Sequence, residues 1–226
     1  MTFGNHATSY NEDLQKGLQL SGEDANFFAQ CRVKFVKAFL DAENEIPGRI
    51  LEFGTGTGNN VQCLKDAFPK SCIVGVDISE EMLQVAKSRL QDGRTSFSTV
   101  SEFHRNETVD LVFVNGVFHH IPAEEQESNL IYIMERLRAG GLLTLFDNNP
   151  FNPGARWVMK KIPFDHDAVM VNPYTMSKTL LKVGFATVEK RFYFLFPKAL
   201  RVFRFVEPYM EGLPLGAQYC LYARKS

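Results

Sequence analysis

The sequence is most informative first in what it lacks. No stretch of its 226 residues approaches the roughly 18 uncharged apolar positions of a membrane-spanning helix. Cysteine is scarce. Cys31, Cys63, Cys72 and Cys220 form no C-x-x-C pair and no zinc-like spacing, so neither a disulfide framework nor a metal site is expected. There is little excess charge of either sign. The formal net charge is -1 and the isoelectric point about 6.5, which argues against attachment to nucleic acid through the charge of the whole molecule. Tryptophan occurs once, at Trp157. Internal repeats and low-complexity segments are missing, and Met1 to His6 shows no charged-then-apolar leader pattern. The expectation is a cytoplasmic protein with reduced, mostly buried thiols. Composition is otherwise ordinary, with 45% hydrophobic and 23% charged residues, and the length suits one α/β unit with insertions.

What is present is an alternation of strand-like and helix-like segments. Asn11 to Gly48 reads as a helical cap. Ser21-Gly22-Glu23-Asp24 serves as a helix start, and Phe27, Phe28, Cys31, Val33, Phe35, Val36 and Phe39 follow at roughly helical spacing. Pro47-Gly48 is expected to stop it. Strands are expected at 49–53, 72–76, 95–100, 109–114 and 142–146. Helices are expected at 59–68, 79–90 with Ser79 as N-cap, and 122–138, the last ended by Gly140-Gly141. Short links between alternating strands and helices imply a doubly wound, mostly parallel sheet covered on both faces. Residues 1–48 form the cap and 49–226 the main unit. Beyond Asp147 the rhythm loosens into an irregular insertion at 148–172, a helix at 174–183 stopped by Gly184, and a long strand at 186–196. A proline- and aromatic-rich insertion at 197–216 and a last strand at 218–225 complete the chain.

The sharpest signal is Glu52-Phe53-Gly54-Thr55-Gly56-Thr57-Gly58, between a buried strand and a helix. Glycines allow a tight turn and close approach of backbone to a ligand, and the helix start presents unpaired N–H groups. The spacing is G-x-G-x-G, which departs from the dinucleotide G-x-G-x-x-G. Asp77 closes the second strand 19 residues after Gly58. A carboxylate there can accept both hydroxyls of a ribose, so the pair points to a nucleoside-bearing cofactor.

These segments resemble the class I S-adenosylmethionine-dependent methyltransferase family. The resemblance rests on Glu52 to Gly58, on Gly75-Val-Asp-Ile-Ser79 with Glu81-Met82-Leu83, on Asp110 to Pro122, and on Gly140-Gly-Leu-Leu. It covers about Arg49 to Asp147, and Gln218 to Lys225 is similar to that family's antiparallel last strand. It implies a seven-stranded sheet and S-adenosyl-L-methionine as cofactor, with S-adenosyl-L-homocysteine as product. It also implies roles. Gly54, Gly56 and Gly58 would pass under the methionine and ribose, with Glu52 beside them, and Asp77 would hold the ribose. Ile78 and Met82 would flank the adenine, and Ser101 or Glu102 would meet its amino group. Asn115 and Gly116 would face the methionine end, and Arg32 would pair with the cofactor carboxylate.

For the acceptor, His119 and His120 follow the fourth strand and are the candidate general bases, since imidazole titrates near neutral pH. Strand alternation turns only one of them to the cleft. Asp147, beside Asn148, is a second candidate. O-methylation of a small-molecule or lipid- or glycan-linked acceptor is the favoured reading. A nicotinamide oxidoreductase and a non-catalytic interaction module are the alternatives. Asn149-Pro150-Phe151 resembles a signature of amino-group methyltransferases, but it stands after the wrong strand. Basic residues interleave with aromatics over 191–206, which reads first as a strand and a helix packing on the core with solvated arginines; peripheral membrane contact and RNA binding are the alternatives. Tyr10 with Ser21-Gly22-Glu23 is a candidate lid.

Overall fold

The computed structural model describes residues 21–104, 107–161 and 168–226. Tyr10 and the first part of the expected cap lie outside them. Helix α1 (Ala25–Ala42) is started by Asp24, whose side chain accepts the Phe27 N–H at 2.7 Å. It ends five residues before Pro47. The Glu43 N–H turns back to Leu40 O, and Asn44 takes φ 58°, so a left-handed turn and not the proline stops it.

The core alternates as expected: β1 (Arg49–Phe53), α2 (Asn59–Ala67), β2 (Cys72–Asp77), α3 (Glu80–Leu90), β3 (Thr95–Thr99) and β4 (Val109–Asn115). Ser79 caps α3 by accepting the Met82 N–H. A 3-10 turn (Phe118–His120) leads to α4 (Ala123–Arg136) and β5 (Leu137–Asn148). Gly140-Gly141 does not end the helix. Leu137 is already buried and paired with Val109, and the glycines lie in an irregularity of β5 before Leu142 pairs with Leu111. The insertion after β5 contains a short helix, α5 (Pro153–Met159), capped by Asn152. Next come α6 (Pro173–Val183), ended by Gly184 at φ 119°, and β6 (Phe185–Tyr193). The expected long strand stops at Tyr193, since Phe194 turns to φ 62°. A 3-10 segment (Lys198–Tyr209) and β7 (Gln218–Lys225) close the described chain.

The seven strands lie in the order β3-β2-β1-β4-β5-β7-β6, with β7 antiparallel to both neighbours and the other pairings parallel. Alternate side chains feed two cores. Leu51, Val112, Leu145 and Leu221 meet α4 and α6 on one face. Ile50, Leu111, Phe146 and Cys220 meet α1, α2 and α3 on the other. Burying both faces is what the continuous apolar runs of β1 and β4 require. All four cysteines are unpaired. Cys63 and Cys220 are buried, but Cys72 is exposed at the start of β2. Among the described residues no helix is long and apolar enough to cross a membrane.

Candidate active site

The parallel strands deliver their carboxyl ends to one edge of the sheet, where ligands bind in open α/β folds. At this edge the turn after β1 is clamped to β2, with the Gly54 and Thr55 N–H groups donating to Val76 O at 2.8 and 3.0 Å. Asp77 faces the turn. Its Oδ2 accepts the Gly56 N–H at 2.8 Å, and its Oδ1 accepts the Ser79 N–H at 3.0 Å.

The three glycines of the turn answer different demands. A Cβ on Gly54 would stand 2.4 Å from Val117 Cγ2, and one on Gly58 would stand 2.7 Å from Leu90 Cδ1. These two let β4's exit and α3 pack closely. Gly56 has φ 53° and nothing within 4 Å of where a Cβ would be, so open space lies over the rim of the turn beside Asp77. That space, a carboxylate at its edge and the N-terminus of α2 behind it together fit a nucleoside-bearing cofactor.

Beneath the turn, Glu52 is wholly buried. Its carboxylate accepts Thr55 Oγ1–H at 2.7 Å and Asn60 Nδ2–H at 2.8 Å. Burial dominates and pushes its pKa up to about 7, and the Thr55 and Asn60 hydrogen bonds only partly oppose that. Thr55 and Asn60 escaped the sequence reading. The available signal was position: a polar residue in the glycine turn and another in the first turn of the helix that follows it, both next to the end of β1.

The remaining sequence candidates fall around this centre. Ile78 is 74% exposed just past Asp77, while Met82 is buried. Ser101 and Glu102 both turn back onto the end of β3. Glu102 accepts the Thr99 N–H, which holds its carboxyl below the usual range, and Ser101 Oγ shares a hydrogen bond with Thr99 Oγ1. Asn115 ends β4, and Gly116, at φ 66°, donates to Phe146 O. Arg32 is not a solvated helix-face residue. It is 8% exposed, and its Nε donates to Gln218 Oε1 at 2.9 Å. Gln218 in turn donates to Asn148 Oδ1, so α1, β7 and β5 meet at the same edge.

His119 and Asp147 come together on the face covered by α4 and α6. His119 Nδ1 lies 2.5 Å from Asp147 Oδ1, with both side chains buried. The same oxygen accepts the Asn148 N–H, whereas Asp147 Oδ2 is buried without a hydrogen-bond partner among the described residues. A buried carboxylate oxygen left without a partner costs about 1–3 kcal/mol, so a ligand or another group is expected to meet it. His120 is half-buried, its ring 4.2 Å from that of His119. Asn149 is accounted for structurally. Its Nδ2 donates to the Pro214 and Gly216 carbonyls, and its Oδ1 accepts the Phe151 N–H. Among the described residues no group of three or more His, Cys, Asp or Glu side chains could hold a metal.

Fold and site together define an α/β protein with a glycine turn and a facing carboxylate at the carboxyl edge of its sheet, and with one antiparallel strand slotted into an otherwise parallel sheet. Residues 51–143 match the family model described as a methyltransferase domain, and the chain has the fold of the class I S-adenosylmethionine-dependent methyltransferases. It is 30% identical over 141 residues to a malonyl-[acyl-carrier protein] O-methyltransferase of Anoxybacillus flavithermus, covering 62% of this chain and 54% of that one. It is 25% identical over 119 residues to a trans-aconitate 2-methyltransferase of Rhodopseudomonas palustris, covering 53% of this chain and 46% of that one. The chain thus spans about half the length of the curated relatives it matches. Among solved structures, it shares its fold with a SAM-dependent methyltransferase of Thermotoga maritima, described as a possible histamine N-methyltransferase. The TM-score is 0.71 at 19% identity, covering 100% of this chain and 98% of that one.

Proposed function

We propose that this chain methylates an oxygen atom of a small-molecule or lipid-linked acceptor, using S-adenosylmethionine and His119 as general base. The buried His119–Asp147 pair carries the reading. When bound, the cofactor supplies a methyl group that is already activated, so the protein's task is to hold the acceptor in line and manage one proton.

Asp77 and the Gly56 rim would hold the ribose, with the buried Glu52 bracing the turn from beneath through Thr55 and Asn60. Arg32 pairs with the cofactor carboxylate, and Ile78 and Met82 border the adenine. Asn115 and Gly116 line the methionine end. Asp147 accepts the proton on His119 Nδ1, which places the ring's basic lone pair on Nε2. From there His119 takes the proton of an acceptor hydroxyl as the new C–O bond forms. The Asp147 carboxylate beside the ring would stabilise it once protonated.

A second reading has its own support. The acyl-carrier relative is named an O-methyltransferase of a malonyl group, and a carboxylate acceptor needs no base. Calorimetry with S-adenosylmethionine and S-adenosylhomocysteine tests the shared part of both readings, and absence of binding to either rejects them. Methyl transfer to paired hydroxyl and carboxylate acceptors then separates them. With a hydroxyl, His119→Gln lowers kcat sharply while S-adenosylhomocysteine still binds. With a carboxylate, the same variant leaves kcat unchanged.

A further inference from the structure

The two insertions do not lie apart. Asn149 donates to the Pro214 and Gly216 carbonyls, Asn152 Nδ2 donates to Leu215 O at 2.7 Å, and the Asn149 N–H donates to Ala217 O. The loop and helix after β5 are therefore stitched to the segment before β7, next to the edge that carries Asp147.

This joined surface has an unusual composition. Within the insertion 148–172, residues 148–161 contain Arg156, Lys160 and Lys161 and no acid, and Asp165 and Asp167 follow them in the sequence. Residues 197–216 add Lys198, Arg201 and Arg204 against Glu207 and Glu211. Both acids are engaged within the fold, since Glu207 accepts the Phe196 N–H and Glu211 pairs with Arg191. Arg204 and Lys198 are engaged as well, with Glu23 at 3.0 and 3.9 Å, but Arg156, Lys160 and Arg201 are exposed. Between these cations stand large apolar side chains in water. Val202 is 68% exposed, Phe205 72%, Tyr209 88%, Leu213 48%, Phe151 49% and Trp157 44%. The 3-10 segment buries none of its own residues. Six large apolar side chains exposed along two segments that are hydrogen-bonded to each other are more than scattered surface hydrophobics account for.

We propose that this surface docks the protein onto an anionic lipid bilayer, with the aromatic and aliphatic tips in the headgroup boundary and the cations on lipid phosphates. Charge complementarity selects the occupant, since a basic surface on a slightly acidic protein is built for a negatively charged plane. The aliphatic residues decide against RNA. Leucine and valine offer nothing for a base to stack on, whereas hydrocarbon suits them. Docking would set the His119–Asp147 edge facing the membrane, within reach of an acceptor held there. The binding itself does not depend on methyl transfer.

The single tryptophan, Trp157, makes the unmodified protein its own probe. On vesicles of phosphatidylcholine with phosphatidylglycerol, its emission shifts to the blue and is quenched by brominated acyl chains. On phosphatidylcholine alone the change is weak, and added salt reverses it. In co-sedimentation on the anionic vesicles, Lys160→Ala and Arg201→Ala each weaken binding about fivefold. Phe205→Ser weakens it about tenfold or more. These exposed positions leave the thermal midpoint unchanged. The proposal is overturned if Trp157 does not respond to anionic vesicles, or if the three variants bind them as the parent does. It is equally overturned if single-stranded RNA binds more tightly through the same residues, or if sedimentation shows Trp157 buried in a dimer that vesicles do not dissociate.

Discussion

The two halves of this edge, the one proposed for the cofactor and the one proposed for the acceptor, are built in opposite ways. From β1 to α3 the site is assembled by near neighbours. Glu52, Thr55, Gly56 and Asn60 sit on one turn, and Asp77 reaches it from the adjacent strand. From β4 onward it is assembled by distant ones. His119 meets Asp147 across 28 positions, Arg32 meets Gln218 across 186, and Asn149 meets Gly216 across 67. The first half is a local motif that any chain with those spacings can form. The second depends on how this particular chain folds back. A shared cofactor and a private acceptor fit that division.

The sharpest way to break the comparison is at Asp77. Asp77→Ala removes the carboxylate that faces Gly56 and is expected to weaken S-adenosylhomocysteine binding about a thousandfold, with acceptor affinity unchanged; equilibrium dialysis measures both. Retained cofactor binding would mean that the turn alone holds the cofactor and that the local motif has been misread.

His119→Gln strikes the other half. With a hydroxyl acceptor, kcat falls by about two to three orders of magnitude while cofactor affinity is preserved. Asp147→Asn follows with a smaller loss, because it leaves the ring in place but offers it an amide. A drop in cofactor affinity in either variant would show that the halves are coupled.

Glu52 separates stability from function. Its carboxyl is ordinarily near 4.5 and stands at about 7 in the fold. The folded state therefore holds a proton that the unfolded chain releases, and stability falls as pH rises between those values. Above pH 7 the deficit amounts to about 3 kcal/mol. Glu52→Gln is expected to flatten denaturant midpoints measured from pH 5 to 8, to be the more stable protein at pH 8, and to bind cofactor less well. A parent midpoint that does not decline with pH would remove Glu52 from the account.

The smallest effect lies within the turn. Gly56→Ala meets no neighbour and loses only the left-handed penalty, about 1–2 kcal/mol by urea titration. Gly58→Ala adds the collision with Leu90 and loses more. Equal losses would mean that the open space over Gly56 is not there.

By itself the sequence determined the alternation, and it did so closely. β1 and β7 occupy the expected residues, and Ser79 caps α3 as expected, because a strand buried on both faces and a capped helix write their ends into a few adjacent side chains. It determined the glycine turn and Asp77 for the same reason. Only the tertiary structure chose His119 over His120 for Asp147, drew Arg32 out of solvent, ran β5 back through Gly140-Gly141, and bound residues 149–152 to 214–217. Each of those depends on which strand ends lie side by side. That order, with β7 slipped between β5 and β6, is set by burying two whole sheet faces at once and is carried by no single segment.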